Sequence, residues 1–209
     1  GYHFEQFSAG MYDYIYHEHL SYFSIKDLSS LAKAFGFTDI RIRKFPLKGG
    51  SIQFIFRRGT SDAEYQEELN RLVQQEIWYM LNPEQYAQKL LMGIQDRISM
   101  IRESVCKLET TGKTLVGYGY SHSVATLIFM SNIENRIARL IDDNESRWNK
   151  YSPGNGILIE PPKTISPTNE VVLILAWQHE FQISERIKKM APNIYFTNPW
   201  GTLKSELVK

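Results

Sequence analysis

The feature that most restricts the fold is the alternation of strand-like and helix-like patterns after Gly112. "KTLVGYGY" is an apolar run ending in glycines, and "SVATLIFMSN" is a short helix pattern. "RIARLIDD" and "EVVLILAW" are two further strands, "FQISERIKKM" a helix and "NIYFTN" a last strand. The unbroken apolar character of "EVVLILAW" predicts a strand covered on both faces. Strands that alternate with helices imply a parallel sheet. Residues 112–209 therefore read as a small α/β domain of Rossmann type. "PGNGILIEPPKTISPTNE", with four prolines, reads as a loop-rich insertion.

Upstream the texture differs. "MYDYIYH" reads as a short strand. In "SIKDLSSLAKAFGF", Ser24 is an N-cap with Asp27 three residues on, Leu28, Leu31 and Phe35 share a face, and Gly36 suits the stop. "FTDIRIRKF" and "SIQFIFR" alternate apolar and polar residues around the turn "PLKGG", which predicts an antiparallel hairpin over 37–57. A second helix begins at Ser61, with Glu64 completing a capping box, and carries Tyr65, Leu69, Leu72, Val73, Ile77 and Met80 as its stripe. A third begins with Asn82 as N-cap and Pro83 at the first helical position. Its stripe runs from Tyr86 through Leu90, Ile94, Ile98, Ile101 and Val105 to Leu108. The expected organisation is a strand-helix-hairpin segment (1–58), connecting helices (59–111) and the Rossmann-like domain (112–209).

Composition narrows the function. With 43% hydrophobic residues and 22% charged, the chain is an ordinary globular sequence. A net charge of +1 carries no bias toward nucleic acid or an anionic membrane. No apolar run approaches the roughly 20 residues of a membrane helix. The single cysteine, Cys106, falls in a helical pattern and reads as packing. A cytoplasmic setting fits these features. The opening "GYHFEQF", with no initiator methionine, reads as part of a longer protein.

Three constellations can carry chemistry. In "GYGYSHS", Gly117 and Gly119 lie between a strand and a helix, where backbone amides cradle a phosphate. Ser121, His122 and Ser123 supply further donors, and the second strand ends about 25 residues on in Asp142 and Asp143, where an acid can hold a ribose or sugar hydroxyl. A tight turn that needs glycine for backbone reasons alone explains the same residues. The dinucleotide fingerprint lacks its third glycine, which weakens an NAD reading. Asn144, Lys150 and Tyr151 follow the end of the second strand, where ligands of open α/β sheets collect, although each alone suits a solvated loop. In "YDYIYHEHLSYF", His17, Glu18 and His19 are adjacent and do not share one face, so no metal site is expected. Tyr16 and His19, three apart, share a face in a helical turn, and Glu18 adjoins both. Spacing alone favours buried structural residues here and leaves a general base as the second option.

These motifs occur in a fixed order: "YDYIYHEHLSYFS", "KGGSIQFIF", "LVGYGYSHS", "LIDDNESRWNKYSPGNGILI", "VVLILAWQHEFQI". Together they resemble the C-terminal half of the C-methyltransferases that act on nucleotide-linked 4-keto-deoxysugars, over about residues 12–199. The resemblance implies that the chain closes an S-adenosylmethionine-binding methyltransferase domain and continues into a Rossmann-like domain. It implies that His19 is the base that removes the proton beside the ketone, that Tyr16 and Glu18 bind the sugar, and that Gly117, Tyr118, Gly119 and Trp177 belong to the nucleotide-sugar site. It further implies that most of the S-adenosylmethionine site, and a zinc-binding region, lie upstream or in a partner subunit, so that the chain alone is inactive. Two departures, "YSHSVAT" after "GYG" and Gln178-His179 after "LAW", fall where the nucleotide sugar should sit. They imply phosphate contacts moved to His122 or Lys150, or a substrate other than a dTDP-linked sugar. The alternatives are a non-catalytic nucleotide or sugar-phosphate binding module and an NAD-binding domain.

Overall fold

The computed structural model describes residues 2, 4, 5, 10–45 and 50–200. These divide into two compact units. The first comprises the described residues up to Tyr12 together with His17–Gln95, and the second Asp13–Tyr16 and the described residues from Asp96 onward. Among the described residues no helix is long and apolar enough to cross a membrane.

In the first unit, helix α1 (Ile25–Ala34) precedes strands β1 (Asp39–Phe45) and β2 (Ser51–Arg57), and helix α2 (Ala63–Leu81) follows. The strands pair antiparallel, from Asp39 opposite Arg57 to Phe45 opposite Ser51. The hairpin is the expected one; its turn, 46–49, lies outside the described residues. Ser24 caps α1 as predicted, its hydroxyl accepting the Asp27 N–H at 2.9 Å. The buried face is not the predicted one. Ile25, Ser29 and Ala32 point inward, whereas Leu31 and Phe35 are 55% and 67% exposed. Small side chains at 29 and 32 let α1 lie close to α2, where Leu69 and Leu72 complete a core with Ile25, Ala32, Ile40 and Ile42.

Glu76 of α2 has no exposed surface, yet it is an acid. Its carboxylate accepts the N–H of Ile25 at 2.7 Å and of Lys26 at 2.8 Å. It thereby satisfies amides in the first turn of α1 that have no partner within their own helix.

Other expectations fail here for stated reasons. "MYDYIYH" holds a single 3-10 turn at Tyr12–Tyr14 instead of a strand. Tyr12, Asp13 and Tyr14 are all buried, which the alternating faces of a lone strand do not allow. The second helix starts at Ala63 behind Asp62, which makes no side-chain cap bond, because the Ser61 hydroxyl donates to Asp39 at 3.0 Å instead. Met80, expected inside, is 44% exposed. Helix α3 (Pro83–Glu109) does begin at Pro83, but the Asn82 amide turns back to donate to the Trp78 carbonyl at 2.7 Å and closes α2. Cys106 is exposed rather than packed, with the Arg136 guanidinium 3.5 Å from its sulfur.

The second unit is a mostly parallel six-stranded sheet in the order β5-β6-β4-β3-β7-β8. Strands β3 (Thr114–Tyr118), β4 (Arg139–Ile141), β6 (Leu158–Glu160), β7 (Glu170–Ile174) and β8 (Tyr195–Thr197) are parallel, and β5 (Lys150–Tyr151) runs antiparallel on β6. The proline-rich stretch is therefore no mere insertion, since it contains β6. Helices α4 (His122–Ser131) and α5 (Glu180–Met190) connect strands. Val116, Tyr118, Ile141, Val172 and Ile174 pack with Ile183 and Ile187 of α5 in one core. "EVVLILAW" stays a strand only to Ile174. The Leu175 and Ala176 amides both donate to the Tyr118 carbonyl, at 2.8 and 3.2 Å, and turn the chain.

Glu76→Ala leaves two amides unpaired, each buried or part-buried, and should lower unfolding stability by about 1–3 kcal/mol. Glu76→Gln, which keeps an acceptor, should lose less. Equilibrium urea unfolding of the two variants checks the order.

Candidate functional site

An open cleft of about 400 Å³ lies at the carboxyl ends of β3, β4 and β7. In chain order the sheet grows from β3 to one side through β4 and β6, then crosses back to β7 and β8 on the other. The cleft thus sits where strand order reverses, the position at which open α/β sheets bind ligands. Tyr118, Gly119, Tyr120 and Ser121 line it from β3, Asp142, Asp143 and Arg147 from β4, and Ala176, His179, Gln182 and Ile183 from β7.

The predicted residues divide into those that face this cleft and those that hold it together. Gly117 is a packing residue. A Cβ there would lie 2.4 Å from Leu175 Cδ1 and 2.9 Å from Leu140 Cδ2. Gly119 has φ +84° and lies against Ala176, so the backbone turn itself requires glycine. Asp142 lines the cleft, but its carboxylate is spent on the protein. Oδ2 accepts the Tyr120 N–H at 2.7 Å, Oδ1 accepts the Asn144 N–H at 2.7 Å, and Arg147 donates to Oδ2 at 3.0 Å. Arg147 also donates to the Tyr120 carbonyl, and the Trp148 indole donates to the Asp142 carbonyl at 2.7 Å.

Asn144 caps the short turn after β4, accepting from Ser146. Lys150 donates to the Ser146 carbonyl at 2.6 Å. Lys150 and Tyr151 form the sheet-edge strand and do not line the cleft. Ser121 lines the cleft, with its hydroxyl 3.1 Å from that of buried Ser123. His122 is exposed, its ring 6.2 Å from that of Tyr16.

Sequence reasoning passed over Arg147 and Gln182; it named Asp143 together with Asp142, and His179 as a departure from the family pattern. Asp143 accepts the Tyr118 hydroxyl at 2.8 Å and pairs with Arg186 of α5. Burial first, and the neighbouring Asp143 second, hold the Tyr118 hydroxyl protonated far above the usual tyrosine range, so it acts as donor. A signal for the β7 side exists in the sequence. His179, Gln182 and Ile183 follow the last apolar strand at spacings of three and four, which places them on one helical face.

The aromatic motif divides between the two units. Asp13–Tyr16 belong to the second, where they are held by several contacts. The Trp177 indole donates to Asp13 Oδ2 at 2.9 Å, and Tyr14 meets the Trp177 ring edge to face at 6.1 Å. Thr126 donates to the Ile15 carbonyl at 3.3 Å. Trp177 packs on Trp200, over which Arg97 stacks at 4.3 Å. Trp177 is thus an anchor for this segment and does not line the cleft. His17, Glu18 and His19 belong to the first unit. His19 is half-buried against the edge of Tyr22, at 6.3 Å, and Glu18 is exposed. Among the described residues no three His, Cys, Asp or Glu side chains are grouped to hold a metal ion.

A mostly parallel sheet with helical connections and a polar cleft at its strand-order reversal defines a Rossmann-like domain. Residues 46–194 match the family described as the C-methyltransferase C-terminal domain, and the chain belongs to that family. It is similar to C-methyltransferase NovU of Streptomyces niveus, with 25% identity over 191 residues that cover 90% of this chain and 46% of the relative. The chain spans about half the length of that relative.

Burial pushes the Asp13 carboxyl up to about 6, while the Trp177 indole N–H works to lower it. A raised carboxyl is favoured protonated in the fold, so its contribution to stability is present at low pH and is lost as pH rises through about 6. Asp13→Asn should therefore gain stability relative to the wild type between pH 4.5 and 7.5, by up to roughly 3 kcal/mol. Thermal melts of both proteins across that range check the sign.

Proposed function

We propose that the chain is the nucleotide-sugar-binding and proton-abstracting portion of a C-methyltransferase whose substrate is a nucleotide-linked keto-sugar. The observation that carries this reading is a Rossmann-like cleft, in a C-methyltransferase-family chain, preceded by the Tyr16-His17-Glu18-His19 motif. The cleft offers what a nucleotide diphosphate needs. The first turn of α4 presents backbone amides and a positive dipole end, Arg147 brings a cation, and Asp143 accepts hydroxyl groups.

His19 is the general base of this reading. A ketone acidifies the neighbouring C–H, and a neutral imidazole nitrogen takes the proton, leaving an enolate whose carbon is the nucleophile. Such a base contributes about 10²–10⁴-fold. Glu18, adjacent in sequence, orients the imidazole or meets a sugar hydroxyl, and the Tyr16 hydroxyl binds the sugar.

S-adenosylmethionine is the methyl donor that membership of the family suggests. The described residues of the first unit do not fit it as a resident cofactor. The described part of the first unit has one antiparallel strand pair among helices, with no parallel strand-turn-helix to seat an adenosine group. In this reading the donor is held outside the chain, by further residues of the same protein or by a partner.

His19→Ala in the full-length protein should slow exchange of the hydrogen beside the substrate ketone with solvent deuterium by about 10²–10⁴-fold, followed by proton NMR. Exchange at the wild-type rate removes His19 from the role.

A further inference from the structure

Asp13 has no exposed surface. Its Oδ2 accepts the Trp177 indole N–H at 2.9 Å, and its Oδ1 has no hydrogen-bond partner among the described residues. Burying a polar group with half of its capacity unused lowers stability, and an apolar side chain would fill the place without that cost. What the acid supplies, and an apolar side chain cannot, is a directional bond. That bond ends on Trp177, whose ring also meets Tyr14 at 6.1 Å.

The residues that follow Asp13 are fixed on elements that border the cleft. Thr126 of α4 donates to the Ile15 carbonyl at 3.3 Å. The Tyr16 ring lies 6.2 Å from that of His122, the first residue of α4. Ser121, immediately before His122, lines the cleft, as do Ala176 before Trp177 and His179 after it. The segment is therefore tied at one end to the turn after β7 and at the other to the start of α4. A phosphate on the amides of the turn after β3 would lie beside Ser121. The sugar of a nucleotide sugar is the group bonded to that phosphate, and Tyr16 is the side chain of the segment placed to meet it.

We propose that Asp13 is a positioning residue for the substrate: through Trp177, and together with Thr126, it holds Tyr16 at the edge of the cleft where the sugar lies. This rests on the nucleotide-sugar reading above. It deepens that reading by naming the side chains that set the sugar-binding tyrosine in place. Asp13 and Trp177 touch no ligand themselves, and their effect reaches the sugar only through Tyr16.

The test is calorimetric titration of the full-length protein with dTDP and UDP, and with the 4-keto-6-deoxyglucose derivative of each. For the base that binds, the readout is the Kd of the keto-sugar nucleotide divided by that of the bare nucleotide, a ratio that a general loss of folded protein does not move. Trp177→Phe keeps a ring and removes the N–H, and should raise the ratio about three- to tenfold, the scale of one hydrogen bond. Asp13→Leu should do the same, whereas Asp13→Asn, which still accepts the indole N–H, should stay within about twofold of the wild type. Tyr16→Phe should raise the ratio by a similar factor, and adding Trp177→Phe to it should raise it no further. Thr126→Val cuts the second tie at an exposed site and should raise the ratio about twofold or more, which decides the matter where Trp177→Phe or Asp13→Leu does not fold. A wild-type ratio in folded Trp177→Phe or in Thr126→Val, or full additivity of Trp177→Phe with Tyr16→Phe, overturns the proposal and leaves the nucleotide-sugar reading standing. A wild-type ratio in Tyr16→Phe removes Tyr16 from the sugar site, and the proposal with it. Binding of neither keto-sugar nucleotide by the wild type overturns the nucleotide-sugar reading and the positioning role together.

Discussion

The carboxylate of Asp142 organises the second unit. It lies at the end of β4, buried, and draws in one amide from the loop after β3, one from its own loop and the guanidinium of Arg147. Without it, a buried backbone donor and a partly buried one would stand unsatisfied beside a cation. Because the two loops are tied through one side chain, the floor of the cleft is a single piece. Gly119, in a left-handed conformation against Ala176, brings the third strand end to the same floor. The orientation of Asp143 follows, since its neighbour is turned inward and it is turned outward.

The same device recurs in the first unit. Glu76 is buried among apolar residues and accepts two amides from the start of α1. A buried carboxylate is tolerable when it is hydrogen-bonded, and it then fixes where the donor segment sits. Asp13 is a third case, less well satisfied. It takes an indole N–H from Trp177 on one oxygen, while the other has no hydrogen-bond partner among the described residues. That imbalance matches its raised affinity for a proton. It also ties Asp13–Tyr16 to the Rossmann-like unit, whereas His17–His19 fold with the other.

Much of the architecture was legible. The strand and helix order after Gly112, the hairpin and the Ser24 cap all followed from periodicity and turn chemistry. What misled was local pattern without its neighbours. Leu31 and Phe35 share a helical face, yet the smaller Ser29 and Ala32 are buried because α2 lies close. Ser61 has the look of a cap, but Asp39 competes for its hydroxyl. The strand β6 hides among prolines because three residues suffice when a neighbour already supplies the ladder. Of the candidate site residues, Tyr118, Gly119, Ser121 and Asp142 line the cleft. Gly117 turned out to be a packing glycine, Trp177 an anchor, and Lys150 and Tyr151 parts of an edge strand.

By itself the sequence determined the family of the chain, the α/β class of its second unit, and that a polar site would gather where apolar strands end in glycines and acids. The family rests on the resemblance carried by its ordered motifs, and the other two properties on periodicity and spacing, which are local. Only the tertiary structure decided which of two adjacent aspartates is buried and which keeps an exposed carboxylate. Successive residues at a strand end point to opposite sides, and the choice between them was made by partners distant in sequence: the Tyr120 amide claims Asp142, and Tyr118 and Arg186 hold Asp143 in the cleft.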